Sequence, residues 1–368
     1  MVKKLTHIAG TFLIETPASF LNGAGLGEGE DRNVTVPKTF RDGPNRVPYV
    51  SSQAWKRWLR NTLIEETGWP TSELRAIQVS AKQTTSQVAG KLDPVDFPED
   101  DIFGYMKAER GQGKRRSEEE EPENVESEES GEKIGRKVKA IIRASPFCAS
   151  ILCSIRKTGW QGRDEGFVHL KEGTPLPYTT EFYNTHLQGV FCLNYLRLGV
   201  FWNIGDRIEL DESKVEDLLK EQKIRVTEDR GKSGKIFEMT NAQTKRKERA
   251  SELLKALAHL RGGAKQAAFG TDVSPKVLIL AGTTCGNPIF NSLFADEGNG
   301  PILKVGALKE VAQDYSDRIV TPVFIGIRKG YLKNESETLQ LKEFKAKSVS
   351  FEITTPVDSV EQMAKALS

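Results

Sequence analysis

The clearest pattern of apolar and polar positions lies between residues 51 and 68. Side chains that can pack on a core recur there at i, i+3, i+4, i+7 and i+8, on one face of a helix: Trp55, Trp58, Leu59, Thr62 and Leu63. The serines at positions 51 and 52 suit an N-cap, and the glycine at position 68, before Trp-Pro, suits a C-cap. The pattern therefore predicts one helix with an apolar face and a polar face.

The polar face of this helix carries charges of one sign. Four side chains lie together on it: Gln53, Lys56, Arg57 and Arg60. The preceding loop adds three more basic side chains: Lys38, Arg41 and Arg46. From residue 38 to residue 60 there are six basic residues and one acidic residue, Asp42. A solvated helix face usually mixes signs to gain i,i+4 pairs, so this segment favours a polyanion site, where side-chain charges and free N-terminal amides converge.

The remaining apolar runs predict strands and helices that alternate irregularly. Further strands are predicted at residues 5–14, 74–79, 136–155, 187–202, 276–281, 318–330 and 346–353, and further helices at 211–222, 245–260 and from Pro356 to the end. A protruding hairpin is predicted at 158–179, which is rich in glycine and proline. We expect an α+β fold with a core of the RRM or ferredoxin type.

A glycine pair separates one predicted helix from the strand that follows it. Gly262 and Gly263 precede Ala264-Lys265-Gln266. Glycine lets backbone amides approach a phosphate because it has no Cβ, but a helix C-cap explains the pair equally well.

Charge and cysteine usage narrow the class of protein. Residues 117–132 hold nine glutamates and no lysine or arginine, so with a formal total of +2 the rest of the chain carries +11. The surrounding stretch 110–135 has almost nothing to bury and is predicted to be a disordered loop tip. The four cysteines and four histidines form no metal-ligand or disulfide pattern, which favours a reducing cytoplasm and no metal or other cofactor. We expect neither a signal peptide nor a membrane span.

Sequence motifs favour binding over catalysis. The chain has no Walker loop, no G-x-G-x-x-G, no H-E-x-x-H and no G-x-S-x-G. Asp31 and Asp42 lie in the glycine-rich loop and are the candidates for metal binding or RNA cleavage, although loop aspartates are usually turn formers. We therefore expect no catalytic residue.

With these residues identified, the chain resembles the backbone subunit of Cascade, the repeated RNA-binding protein of type I CRISPR interference complexes. Five segments carry the resemblance: Phe20-Leu-Asn22, Pro37-Lys38, Ser51-Ser-Gln-Ala-Trp-Lys-Arg57, Phe103-Gly-Tyr-Met106 and Gly263-Ala-Lys-Gln266. The N-terminal portion and the SPFCAS segment at 145–150 are most similar to the DevR branch, common in type I-B systems. The resemblance implies an RRM-like palm over the whole chain, with a finger insertion at 74–135 and a thumb hairpin at 156–188.

The resemblance also implies residue roles and partners. It implies RNA contacts from Asn22, Lys38, Ser51, Gln53, Lys56, Arg60, Gly263, Ala264, Lys265 and Gln266; charge and position alone add Arg41, Arg46 and Arg143. Trp160, Phe167 and Leu170 have the apolar area to anchor the thumb or wedge a base. The implied partners are crRNA, a target DNA strand paired to the guide, copies of the chain head to tail and other Cascade subunits.

Two alternatives remain open at this stage. A related subunit of type III complexes would cleave target RNA through Asp31 or Asp42. A general single-strand RNA-binding protein would need neither repeat-derived RNA ends nor sibling subunits. The acidic run at 117–132 departs from the family pattern and argues against DNA binding by the finger tip.

Overall fold

The computed structural model describes residues 4–27, 33–72, 75–79, 85–107, 140–168, 170–174 and 176–367. These residues form a large central sheet, a six-stranded second sheet, two small two-stranded sheets and eight α-helices. The arrangement is a mixed α/β fold consistent with the α+β class.

The helices are short except for two that pack together. The helices are α1 Ser52–Thr67, α2 Pro98–Phe103, α3 Glu212–Lys220, α4 Ala242–Ala258, α5 Gln266–Phe269, α6 Val305–Asp314, α7 Glu335–Leu339 and α8 Pro356–Ala366. The two long helices, α1 and α4, lie against each other, and α8 packs on α4. Within the described ranges, no helix has both the length and the apolar content to cross a membrane.

The strands vary from two to nineteen residues. The first eleven are β1 His7–Ser19, β2 Gly23–Leu26, β3 Val34–Pro37, β4 Thr39–Asp42, β5 Asn45–Val50, β6 Arg75–Val79, β7 Thr85–Ala89, β8 Tyr105–Lys107, β9 Ile141–Arg143, β10 Phe147–Ala149 and β11 Leu152–Ser154. The others are β12 Gln161–Val168, β13 Leu176–Asn194, β14 Val200–Ile204, β15 Arg207–Ile208, β16 Ile224–Asp229, β17 Gly234–Met239, β18 Val277–Thr283, β19 Phe294–Ala295, β20 Ile302–Leu303, β21 Val323–Ile327 and β22 Phe351–Thr354.

The central sheet is built around the antiparallel pair β1 and β13. Its order is β22-β21-β18-β1-β13-β11-β5-β4, and β3, β10 and β12 also pair with β13. The register runs from His7 opposite Asn194 to Ser19 opposite Tyr183. Two strands of this length give the sheet one long axis, with His7 at one end and the chain leaving β1 at the other.

Both faces of the central sheet are buried, because alternate side chains of its strands enter two different cores. Phe12 of β1 and Leu280 of β18 pack with the apolar faces of α1, α4 and α8. Leu13 and Ile279, one position away, pack on the opposite face with residues from α6 and its neighbours. Burial on both faces explains why these strands are nearly continuous apolar runs in the sequence.

The helix predicted from residue 51 is confirmed. It spans Ser52–Thr67, its N-cap Ser51 accepts a hydrogen bond from Ala54 N at 3.4 Å, and its C-cap Gly68 has φ 65°. Trp55 on its buried face lies edge-to-face with Phe12 at 5.4 Å between ring centroids. The predicted apolar stripe therefore faces the core as expected.

The second sheet was not predicted. Its order is β16-β17-β14-β15-β9-β8, and it has a small core of its own that includes Phe201 and Phe237. The single strand predicted at 187–202 is divided, because β13 ends at Asn194 and a 3-10 turn with Gly199 at φ 70° sends β14 into the other sheet. The helix α6 was also missed.

A buried charge network joins the second sheet to α2 and α4. Arg143 of β9 is ion-paired with Asp101 of α2 and, at 3.0 Å, with Glu209; all three side chains have no exposed surface. Asp101 also accepts from Arg249 of α4 at 2.5 Å and from Gly199 N at 3.0 Å. The prediction that Arg143 contacts RNA is therefore wrong, because its guanidinium is enclosed and fully used inside the protein.

The structure describes parts of the two segments that were predicted as finger and thumb. The strand β12 pairs with the first half of β13, from Gln161 opposite Tyr183 to Val168 opposite Leu176, and forms a long antiparallel hairpin. Within the proposed finger at 74–135, the structure describes the β6–β7 hairpin, α2 and β8. The predicted disordered tip at 110–135 lies outside the described residues.

Candidate nucleic-acid interface

Four of the predicted contact segments meet at Leu21 and Asn22, just beyond the end of β1. Asn22 Oδ1 accepts a hydrogen bond from Ser51 N at 3.1 Å, and Asn22 O accepts from Lys38 N at 2.8 Å. Leu21 O accepts from Ala264 N at 2.9 Å. Residues that are 16, 29 and 243 positions apart are thus held together by hydrogen bonds from their backbone amides. We call this surface, with the N-terminal half of α1, the helix-entry face.

The loop after α4 is shaped by glycines that have no room for a side chain. Gly263 has φ 109°, and a Cβ there would lie 2.5 Å from Leu21 Cδ2 and 2.8 Å from Gln266 Nε2. At Gly262, φ is 147° and a Cβ would overlap the Trp58 ring. The glycines are therefore required for the loop to lie against Leu21 and α1, which goes beyond a simple helix cap.

The side chains of that loop are partly engaged inside the protein. Lys265 is left-handed at φ 50°, and its Nζ donates to Thr180 Oγ1 at 2.7 Å and lies 5.1 Å from the Phe20 ring centroid. Gln266 Nε2 donates to Gly262 O and, at 3.1 Å, to Thr271 O. These two side chains stabilise the loop, and Ala264 between them and the glycines is exposed.

Three basic side chains of the helix-entry face have charges that no other part of the described chain neutralises. Within the described residues, the side chains of Lys38, Lys56 and Arg57 have no hydrogen-bond or ion-pair partner. Lys56 and Arg57 line a groove along α1 together with the exposed Gln53 and Asn61. Arg57 was recognised in the sequence as part of the basic face but not included among the predicted contacts. Because Arg57 is exposed and lines the groove, we add it to the predicted contacts.

Arg60, the last predicted contact on α1, is paired at the far end of the groove. Its Nε lies 2.6 Å from Glu99 Oε2, and Glu99 also accepts from Ser72 N at 2.5 Å. The hydrogen bond with Glu99 raises the pKa of Arg60. Burial raises the pKa of the neighbouring Asp100 to about 6. Arg60 can therefore offer RNA only part of its guanidinium.

Arg46 and Trp160 form one packed unit at the base of the hairpin. Trp160 is 5% exposed, its Nε1 donates to Arg46 O at 2.9 Å, and the Arg46 guanidinium lies 5.8 Å from its ring centroid. Arg46 Nη2 is 3.1 Å from the buried Glu181. The prediction of Trp160 as a base wedge is therefore wrong, because the ring is enclosed. It is an anchor of the hairpin, and Arg46 retains only its exposed side for a ligand.

The other two hairpin residues are exposed. Phe167 near the end of β12 is 65% exposed and Leu170 beyond it is 49% exposed. Tyr178, on the facing strand, is also exposed, and Gly166 passes over its ring because a Cβ there would lie 2.5 Å from the phenol oxygen. This end of the hairpin therefore presents apolar area that no described part of the chain covers.

The candidate cleavage residues show no catalytic arrangement among the described residues. Asp42 lies at the β4–β5 turn, 2.6 Å from Lys157 Nζ, and Arg41 beside it is exposed. Asp31 lies outside the described residues. No group of three or more His, Cys, Asp or Glu side chains in the described ranges could hold a metal ion.

Comparison with known proteins places the fold. No protein-family model matches the sequence, and no curated protein matches it. A chain from a solved "CRISPR RNA-guided surveillance complex, pre-nicking" is similar over 99% of this chain and 100% of its own, with a TM-score of 0.55 and 13% identity. A "CRISPR RNA-guided surveillance complex" chain is similar over 98% and 99%, with a TM-score of 0.49 and 15% identity.

A third solved structure is similar over a smaller part. A chain of the "Type III-B Cmr-beta bound to cognate target RNA" matches 53% of this chain and 49% of its own length, with a TM-score of 0.29 and 11% identity. At 13% identity and a TM-score of 0.55, the similarity to the chain of the pre-nicking complex establishes a shared fold along the whole chain. The residue roles must come from the geometry of this protein.

Proposed function

We propose that the chain is a non-catalytic, crRNA-binding backbone subunit of a type I CRISPR surveillance complex. The observation that carries the proposal is the helix-entry face, where Asn22, Lys38, Ser51 and the 262–266 loop meet beside the basic side of α1. The whole-length fold similarity to a chain of a CRISPR RNA-guided surveillance complex supports it.

The chemistry of this face suits a guide of variable sequence. A protein that holds many different guides must bind phosphate, ribose and shape without reading base edges. Lysine, arginine, hydroxyl and backbone amide groups do this, and the face offers the side chains of Lys38, Lys56 and Arg57. In this proposal the guide follows the groove along α1 and passes the N-cap at Ser51.

The proposal also covers how copies of the chain assemble on the guide. Copies of the chain would line up head to tail along the crRNA, in the cytoplasm and with other Cascade subunits, and leave the spacer free to pair with a target DNA strand. The DevR branch and a type I-B system are the proposed place within the class, on the sequence resemblance. Purification of the complex from its host, followed by sequencing of the bound RNA, tests the proposal. Spacers with repeat-derived ends support it, and a broad sample of cellular RNA contradicts it.

The alternative is a type III-like subunit that cleaves target RNA through a loop aspartate. Of its two candidates, Asp42 has an acidic side chain that already pairs with Lys157. Incubation of the guide-loaded complex with complementary RNA and Mg²⁺ separates the two proposals. Intact target RNA is expected, and cleavage that is lost in Asp31→Ala or Asp42→Ala would establish the alternative.

The exposed end of the hairpin gives a prediction about assembly. Changing Phe167 and Leu170 together to serine should leave the protein folded, because both side chains are exposed, but should weaken the regular packing of copies along a guide. Stacking or wedging of one base contributes about 1–3 kcal/mol, and this term would be lost at every copy. Native mass spectrometry on a full-length guide measures the loss, with Val226→Ser on β16 as an exposed control. An unchanged oligomer series would show that the hairpin end takes no part in assembly.

A further inference from the structure

A second group of basic side chains lies at the other end of the central sheet, where the second sheet joins it. The chain enters β1 at His7 and leaves it after Ser19, so at about 3.3 Å per residue this end is about 40 Å from the helix-entry face. A pocket here is lined by His7, Asn194, Arg197, Trp202 and Arg207, among others. None of these residues belongs to the helix-entry face.

The charges around the pocket do not balance. The group contains four arginines and two carboxylates: Arg143, Arg197, Arg207, Arg249, Asp101 and Glu209. Glu209 has no exposed surface and lies within 3.0 Å of three of the four guanidinium groups. The group therefore carries two more positive than negative charges. Partly buried charge of one sign is costly unless it is paired.

Two of the four arginines line the pocket, so the excess positive charge lies at its wall. Arg143 and Arg249 are enclosed, whereas Arg197 and Arg207 line the pocket, with 13% and 42% of their side chains exposed. Burial lowers the pKa of Arg197, and Arg143 and Arg207 add to this effect while Glu209 opposes it. Arg197 Nη1 is shielded from water and has no acceptor among the described residues. A buried donor without an acceptor is destabilising, so a ligand that accepts from it would be favoured.

We propose that this pocket, lined by Arg197, Arg207 and Trp202, binds a phosphate group, separately from the helix-entry face. A phosphate would supply the missing negative charge. Its tetrahedral oxygens can reach two guanidinium groups whose inner edges are already held by the planar carboxylate of Glu209.

The aromatic ring in the pocket favours phosphate recognition over base stacking. The guanidinium carbons of Arg197 and Arg207 lie 4.0 Å and 4.4 Å from the centroid of the Trp202 ring. The ring thus already contacts two cations, and these contacts help to hold both guanidinium groups in place. Such a pocket would bind the phosphate of any nucleic-acid strand, or a free phosphate compound, without reading a base.

Pyrophosphate is a suitable probe, and calorimetry on the full chain is the test. Lys38→Gln with Lys56→Gln as the background removes two competing charges from the helix-entry face. In that background Arg207→Gln should weaken pyrophosphate binding by about ten-fold, since a charge-assisted hydrogen bond to the phosphate is lost. Arg207→Lys keeps the positive charge but loses the planar pair of N–H donors. Its affinity for pyrophosphate should therefore lie between those of the parent and Arg207→Gln. Arg230→Gln removes a similarly exposed arginine from the turn between β16 and β17, outside the pocket, and should have no effect.

The outcomes separate the possible ligands. If a twelve-nucleotide polythymidylate DNA competes with pyrophosphate in an Arg207-dependent way, the phosphate belongs to a nucleic-acid strand; if only pyrophosphate binds, it belongs to a free phosphate compound. Equal losses in Arg207→Gln and Arg230→Gln would overturn the proposal, because binding would then reflect overall charge. Arg207-dependent binding of an octaglutamate peptide without pyrophosphate binding would overturn it in favour of an acidic protein partner. A melting temperature shared with the parent shows that a loss of binding is not a loss of folding.

Discussion

Replacing Asp101 with asparagine should lower the free energy of unfolding by about 3–5 kcal/mol, the range for breaking a buried ion pair by removing one partner. Asp101 is fully buried and pairs with Arg143 and Arg249, which have almost no exposed surface of their own. Its Oδ2 also accepts from Gly199 N at the turn between the two large sheets. An amide keeps the shape of the side chain, but it leaves Arg249 without a counter-charge and Arg143 with Glu209 alone.

The matched control for Asp101 is another aspartate that holds a salt bridge at the surface. Asp229 pairs with Lys235 at 3.0 Å, and about half of each side chain is exposed. Asp229→Asn should change the free energy of unfolding by less than about 1 kcal/mol, because exposed ion pairs contribute little. Urea denaturation followed by circular dichroism measures both variants. If Asp101→Asn and Asp229→Asn had similar urea midpoints, the buried charge network would not be what holds the two sheets together.

The second large effect concerns RNA affinity. Changing Lys38 and Lys56 together to glutamine should weaken binding of a single-stranded guide by about ten-fold at physiological salt and flatten the salt dependence by about 1.4 in logarithmic slope, since each lost phosphate contact on a single strand removes about 0.7. Neither side chain has a partner among the described residues, so the substitutions should leave the fold intact. Fluorescence anisotropy at several salt concentrations gives both quantities.

The control for this pair removes the same charge from the other face of the central sheet. Lys342 and Lys345 are exposed and lie between Leu341 and Ala346, which pack in the core opposite α1. Lys342→Gln with Lys345→Gln should keep the affinity and the salt slope. If the control pair weakens binding as much as the Lys38 and Lys56 pair, the helix-entry face has no special role.

The sequence predicted the site best where local rules determine it. The serine cap, the apolar stripe through Trp55 and the stop at Gly68 depend on neighbours within a few residues, and the structure confirms all three. The glycines before Ala264 could be noticed in the sequence, but only the approach of Leu21 from the far end of the chain explains why a side chain cannot fit there.

The errors in the sequence-based predictions arise where charge or apolar area is used by distant partners. Arg143 was added as an RNA contact on charge alone, and its partners Asp101 and Glu209 lie 42 and 66 positions away. Trp160 was predicted either to anchor the hairpin or to wedge a base. Its indole donates to the carbonyl of Arg46, 114 positions away, and the ring is a buried anchor. The second sheet was missed because its strands are short and come from four separate parts of the chain. No local pattern reports such pairings.

Mapping the contacts of a photoreactive guide tests the proposed RNA interface most directly. The complex would be assembled on RNA that contains 4-thiouridine, cross-linked, digested and analysed by mass spectrometry. Cross-links are expected in peptides that contain Asn22, Lys38, residues 51–57 or residues 262–266, which meet in the helix-entry face. Cross-links concentrated instead in residues 303–319, which pack against the opposite face of the central sheet, would contradict the proposed interface.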